Sequence, residues 1–186
     1  YTSMVYLTPI IGGILADKYL GHRWAIIIGA SLMTLGHASM AMESPMFLYL
    51  GLAFLIFGNG FFKPNISTLL GNFYSKEEYL DKKDEGYNIF YMGINVGAFI
   101  CNFFGAALQI LLGWQYAFMA AGVGMFIGVI VFLLGTKHYG NKTEKKGIQV
   151  GDMPFSKIVL FILLPSVIFG VIGWLIKGVQ SDANLN

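Results

Sequence analysis

Residues 47–73 read FLYLGLAFLIFGNGFFKPNISTLLGNF and contain one charged side chain, that of Lys63. An apolar stretch of this length is typical of a membrane-spanning helix, since about 20 residues cross the hydrocarbon core of a bilayer. A lysine near the centre of such a helix costs roughly 3 kcal/mol on insertion scales. Because such residues usually face a polar cavity or a partner group, the stretch predicts a polar site inside a membrane protein.

The composition of the whole chain supports this interpretation. Of the 186 residues, 56% are hydrophobic and only 12% are charged, whereas a soluble domain carries about 25% charged residues. The formal net charge of +2 is too small to indicate a nucleic-acid partner. The histidines are scattered, and no HExxH or CxxC spacing occurs. We therefore predict an all-α membrane protein that is not an enzyme and holds no metal or other cofactor.

Six apolar segments divide the chain into spans and linkers. They run over residues 1–16, 24–42, 47–73, 87–112, 116–134 and 155–176. Nine of the twelve lysines and arginines lie in three alternate linkers, at residues 17–23, 74–86 and 135–154. Positively charged linkers face the cytoplasm. This pattern predicts a multi-pass protein of the cell membrane with its basic linkers on the cytoplasmic side.

Three polar residues from different spans are expected at one depth in the membrane. With a rise of about 1.5 Å per residue, Lys63, Asn95 and Tyr6 each lie roughly 14–16 Å from the cytoplasmic surface. That depth is near the middle of a core about 30 Å thick. Tyr91 lies one helical turn before Asn95 and shares its face. A cation beside neutral hydrogen-bonding groups suits an anionic or zwitterionic substrate, with Lys63 contacting a carboxylate.

Other interpretations of these residues stay open. Asn59 lies on the same face as Lys63 and could equally form a hydrogen bond between helices. Lys63 could pair with an acidic residue for stability alone, but the spans contain no acidic residue. Such a partner must therefore lie outside this chain. The GxxxG pairs at 93–97 and 124–128 predict close helix packing.

Three motifs carry a resemblance to a known family. They are GGILADKYLGHRW at 12–24, GNGFFKPNIS at 58–67 and FYMGINVGAF at 90–99. Together they resemble the proton-dependent oligopeptide transporters, the peptide-transporter branch of the major facilitator superfamily. The first is similar to that family's loop between helices 2 and 3, the second to its helix 4, and the third to its helix 5.

The resemblance implies an organisation for the chain. Residues 1–135 would form part of the N-terminal six-helix bundle, namely helices 2–6. Residues 136–154 would be a cytoplasmic linker, 155–176 an additional transmembrane helix, and 177–186 a polar end. The additional helix would be either an extra helix between the two bundles or helix 7. Because the chain begins at Tyr1 within an apolar run, we expect it to be an internal fragment of a longer protein.

The resemblance also implies roles for individual residues. Tyr6, Tyr91 and Asn95 would contact the peptide substrate. Lys63 would bind the peptide carboxylate and take part in proton coupling. The gating-loop charges, Asp17 and Arg23, would hold the cytoplasmic side closed against the other half of the protein.

The function implied by the resemblance is proton-coupled symport of di- or tripeptides by alternating access. The expected partners are the peptide, protons, the lipid bilayer, and the helix 1 and C-terminal bundle of the same protein, which lie outside this chain. Glutamates of helix 1 would be the partners of Lys63 and of the proton. The alternatives are a transporter of nitrate or another small anion, and a peptide receptor that does not transport.

Overall fold

The computed structural model describes residues 2–139, and all its regular structure is helical. Five long helices occur in chain order: α1 (Thr2–Leu15), α2 (His22–Met40), α3 (Pro45–Tyr74), α4 (Lys83–Leu112) and α5 (Trp114–Tyr139). A π-helical turn (Ala16–Leu20) connects α1 to α2, and a 3₁₀ helix (Glu77–Lys82) connects α3 to α4. The predicted helix at 155–176 lies outside the described residues.

Three of the helices are long and apolar enough to cross a membrane. They are Pro45–Tyr74, Glu77–Leu112 (which includes the 3₁₀ helix) and Trp114–Thr136. The first two predicted spans do not reach that standard within the described residues. Only 14 residues of α1 are described, and α2 carries His22, Arg23 and His37 among its 19 residues.

Three of the five helices, α3, α4 and α5, are longer than the apolar segments that predicted them. Most of the predicted linker 17–23 is helical, and the break falls at Gly21, whose φ of 73° favours glycine. Within the predicted linker 74–86, α4 already begins at Lys83. The last described helix, α5, continues to Tyr139, past the predicted bundle boundary at 135. Hydropathy marks the lipid-facing part of a helix, whereas backbone hydrogen bonds continue through the polar residues beyond it.

The helix α3 is the centre of the packing. It contacts α1 on one side and α2 on the other, α2 also contacts α5, and α5 contacts α4. The buried core is small and lies where the π-helical turn, α2 and α3 meet. We call the end of the bundle that holds the π-helical turn and the 3₁₀ helix the basic end, because it carries lysines and an arginine. These are Lys18, Arg23, Lys76, Lys82 and Lys83.

Glycines allow α3 to approach its neighbours closely. A side-chain carbon at Gly29 would lie 2.7 Å from the Gly58 carbonyl oxygen, and one at Gly51 would lie 2.7 Å from the Gly36 carbonyl oxygen. The paired numbers run in opposite directions, as expected for the antiparallel helices α2 and α3. Gly12 of α1 faces the backbone of α3 in the same way. Small residues therefore form the seams of the bundle, as is usual between membrane helices.

The predicted GxxxG pairs are not part of these seams. A side chain added at any of their four glycines would meet no atom of the described residues within 4 Å. All residues from 91 to 104 of α4 are exposed within the described part of the chain. The GxxxG motif therefore indicates a helix face with small residues. It does not predict which glycines pack against another described helix.

Candidate functional site

An open groove of about 620 Å³ lies between α1 and α3. Its lining consists of three residues of α1 and four of α3: Val5, Tyr6, Pro9, Asn59, Lys63, Pro64 and Ser67. The groove brings together Tyr6 and Lys63, two residues that depth counting placed at one level. Both are exposed, and Tyr6 has 73% of its surface accessible.

The α3 wall of the groove is one helical face. Asn59, Lys63 and Ser67 follow at intervals of four residues and therefore stack along the helix. Among the described residues, the structure shows no carboxylate in an ion pair with Lys63. The groove thus presents a cation flanked by an amide, a hydroxyl and a phenol. This set can hold a carboxylate by a charge-assisted hydrogen bond and other polar atoms by neutral ones.

Each wall of the groove contains a proline inside a helix. Pro9 has no N–H, so the carbonyl of Val5 lacks its usual donor in α1. The Asn59 Nδ2 atom of α3 lies 3.3 Å from that carbonyl oxygen and donates to it. Asn59 therefore has the interhelical role that the sequence left open, and it also lines the groove.

Pro64 has a corresponding effect in α3. It deprives the Gly60 carbonyl of a helical donor, and that carbonyl lies directly against Gly12 of α1. The Thr8 hydroxyl lies on the same seam, 3.0 Å from the carbonyl oxygens of both Ile56 in α3 and Met4 in its own helix, and shares its one hydrogen between them. Proline, glycine and short polar side chains together shape the contact between the two walls.

The two predicted site residues of α4 lie apart from the groove lining. Tyr91 and Asn95 are both exposed, and Asn95 Nδ2 donates to the Tyr91 carbonyl oxygen at 2.8 Å. The Tyr91 ring stacks on that of Tyr87 with 6.4 Å between ring centres. The Tyr87 hydroxyl donates to the carbonyl oxygen of Ser67, a groove residue, at 3.3 Å. This bond joins α4 to the groove wall on α3, near the basic end.

A buried polar cluster between the groove and the basic end was not predicted. Asn65 is only 1% exposed. Its Nδ2 donates to the carbonyl oxygens of Phe61 at 2.7 Å and of Gly12 at 3.4 Å. Its Oδ1 is then the acceptor for His22 Nδ1, 2.8 Å away. The sequence did offer an indication of this cluster, because Asn65 is a polar residue in the apolar motif at 58–67, two residues after Lys63.

The predicted gating residues lie beside this cluster and do not pair with each other in the described structure. Asp17 Oδ1 lies 3.5 Å from His22 Nε2, an ion pair when the histidine is protonated. The Nε atom of Arg23 is buried, and it has no hydrogen-bond partner among the described residues. No group of residues within 2–139 has the composition of a metal site.

Helices long and apolar enough to cross a membrane, with a cation in a groove between two helices, are typical of the transporter class of membrane proteins. The sequence model of the POT family matches residues 23–170, and the chain belongs to this family.

Two curated relatives extend the comparison. The chain is 38% identical over 138 residues to the uncharacterized transporter YclF of Bacillus subtilis, covering 74% of this chain and 28% of that protein. It is 31% identical over 185 residues to the di-/tripeptide transporter of Lactococcus lactis, covering 99% of this chain and 37% of that protein. The chain therefore spans between a quarter and two fifths of the length of these relatives.

A solved structure agrees with the fold. The chain matches the crystal structure of a glutamate-to-glutamine mutant of peptide transporter POT in complex with alafosfalin, with a TM-score of 0.72 and 31% identity. The match covers 91% of this chain and 35% of that one. The all-α membrane fold predicted from the sequence, as part of a transporter bundle, is thereby confirmed.

Proposed function

We propose that this chain is part of a proton-coupled symporter that carries di- and tripeptides by alternating access. The observation that supports this most strongly is the groove between α1 and α3, which is lined by both Tyr6 and Lys63. A peptide has a carboxylate that can bind Lys63 and amide groups that can form hydrogen bonds with Tyr6. The names of the Lactococcus lactis relative and of the matched structure agree with a peptide substrate.

Proton coupling would operate through the partner of Lys63. Within residues 2–139 no carboxylate pairs with this lysine, so an acidic group from another part of the full protein would take that place. Lys63 would exchange between that acidic group and the carboxylate of the substrate. Protonation of the acidic group would release the lysine and favour peptide binding.

Alternating access would require a second bundle that packs against the groove. The two bundles would rock around a site near the middle of the membrane. The basic end would face the cytoplasm of a cell whose plasma membrane holds the protein. Asp17 and Arg23 would hold that end closed, and Tyr91 and Asn95 would contact the peptide when α4 closes over the groove.

Lys63→Ala tests the groove as the peptide site. In a full-length transporter that contains this sequence, reconstituted in liposomes with an imposed proton gradient, labelled dipeptide uptake should fall at least about tenfold, since a hydrogen bond to a charged group contributes roughly 1.5–3 kcal/mol. Lys82→Ala, which removes an exposed charge at the basic end, should leave uptake unchanged. Normal uptake by Lys63→Ala would remove the lysine from the mechanism.

Competition separates the alternative substrates. Unlabelled dipeptide should suppress labelled uptake in the unmodified transporter, whereas nitrate at the same concentration should not. Suppression by nitrate alone would indicate an anion transporter. Saturable dipeptide binding without uptake would indicate a receptor that has the fold of a transporter.

A further inference from the structure

We infer that Asn59 is a positioning residue of the peptide groove, because it binds the backbone carbonyl that Pro9 leaves without a donor. This inference rests on the proposed function of the groove.

The geometry around Pro9 carries the inference. An N–H at position 9 would bond the carbonyl of Val5 in a regular helix, and proline has none. An unpaired carbonyl inside a membrane protein is unfavourable, so freed carbonyls acquire donors from neighbouring helices. The donor here is Asn59 Nδ2, 3.3 Å away on α3. All three residues line the groove, so this hydrogen bond lies in its wall.

The hydrogen bond between Asn59 and Val5 lies close in sequence to Tyr6 and Lys63, the two residues proposed to contact the substrate. Tyr6 directly follows Val5 on α1, and Lys63 follows Asn59 by one turn on α3. The Asn59–Val5 bond therefore joins the two walls beside the pair of side chains that face the substrate. Other contacts keep α1 on α3 further along the seam, including the Thr8 hydroxyl on Ile56 and Gly12 against Gly60. Loss of the Asn59 bond should thus shift Tyr6 relative to Lys63 without separating the helices.

Pro9→Ala provides a specific rescue. Alanine at position 9 has an N–H that can bond the Val5 carbonyl within α1, which makes the Asn59 donor unnecessary. In the full-length transporter, Asn59→Ala should raise the KM for a dipeptide about 3- to 10-fold, the range of one neutral hydrogen bond, with kcat changed less than KM. In a Pro9→Ala background, the same substitution should change KM less than about twofold, because Val5 keeps a donor.

The outcomes separate this inference from the proposed function. If Asn59→Ala raises KM equally in both backgrounds, the asparagine does not act through Val5. If it lowers the melting temperature and leaves KM unchanged, its role is structural only. Either result overturns the inference, whereas a loss of uptake in Lys63→Ala would still support the proposed function. If Lys63→Ala retains full uptake, the groove is not the peptide site and the proposed function fails first.

Discussion

At the scale of single residues, two asparagines, half-buried Asn59 and buried Asn65, join the helices around the groove. Asn59 joins α1 to α3 through the Val5 carbonyl, and Asn65 joins α1, α2 and α3 through Gly12 and His22. The sequence predicted that Tyr6 and Lys63 share one depth, because a constant rise per residue converts position into height. It did not predict the partners of Asn65, since those bonds cross between helices and depend on how each helix is rotated.

Asn65→Ala should destabilise the bundle by about 1–3 kcal/mol, because His22 loses its acceptor and the Gly12 carbonyl loses a donor in a buried place. Thermal unfolding in detergent measures this as a lower melting temperature. Thr68→Ala is the matched control on the same helix. Among the described residues, its exposed side chain bonds the Pro64 carbonyl oxygen of its own helix and no other helix, so the change should be within about 0.5 kcal/mol. Equal melting temperatures for the two variants would contradict a stabilising role for Asn65.

At the scale of helices, α3 packs against α1 and α2 through glycines at which the backbones are in contact. The sequence predicted the number and the centres of the five described helices, because apolar runs of that length have no other stable form in a membrane. It did not predict their ends, nor the glycines used for packing. The GxxxG pairs carry the right residue types, but Gly12, Gly29 and Gly58 make the contacts because they face α1, α2 or α3. Which face a helix turns inward depends on its neighbours.

Neighbouring glycines of α1 should respond in opposite ways to the same substitution. An alanine side chain at Gly12 would lie 2.6 Å from the Gly60 carbonyl carbon, so α1 and α3 would have to separate. Gly12→Ala should therefore destabilise the protein by about 1–3 kcal/mol. At Gly13 the nearest atom is Pro64 Cβ at 3.9 Å, an ordinary contact. Gly13→Ala should leave stability unchanged or raise it by up to about 1 kcal/mol through helix propensity.

Melting temperatures of the two variants, measured side by side in detergent, test this difference. Similar losses for Gly12→Ala and Gly13→Ala would show that the two glycines are needed for flexibility and not for close approach.

At the scale of the whole molecule, composition and three motifs were enough to predict the fold class. They were not enough to predict where α4 lies relative to α3. Depth counting placed Asn95 at the level of Lys63, helical spacing placed Tyr91 on the face of Asn95, and the resemblance implied that both contact the peptide. Neither depth nor spacing states how far apart two helices lie. In the described residues α4 contacts α5, and it reaches α3 only near the basic end. Its face at 91–104 is exposed within the described residues.

The basic end of the bundle is expected to face the cytoplasm. Labelling of variants that contain a single cysteine tests this orientation. In a full-length transporter whose other cysteines, including Cys101, are replaced by serine, Lys82→Cys reports the basic end and Glu43→Cys the opposite end. Both positions are exposed. A membrane-impermeant maleimide should label Glu43→Cys in intact cells, because positive charge favours the cytoplasmic side for the basic end. Lys82→Cys should react only after the cells are permeabilised. The reverse pattern would show that the basic end faces outward, so that Asp17 and Arg23 would close the external side of the groove.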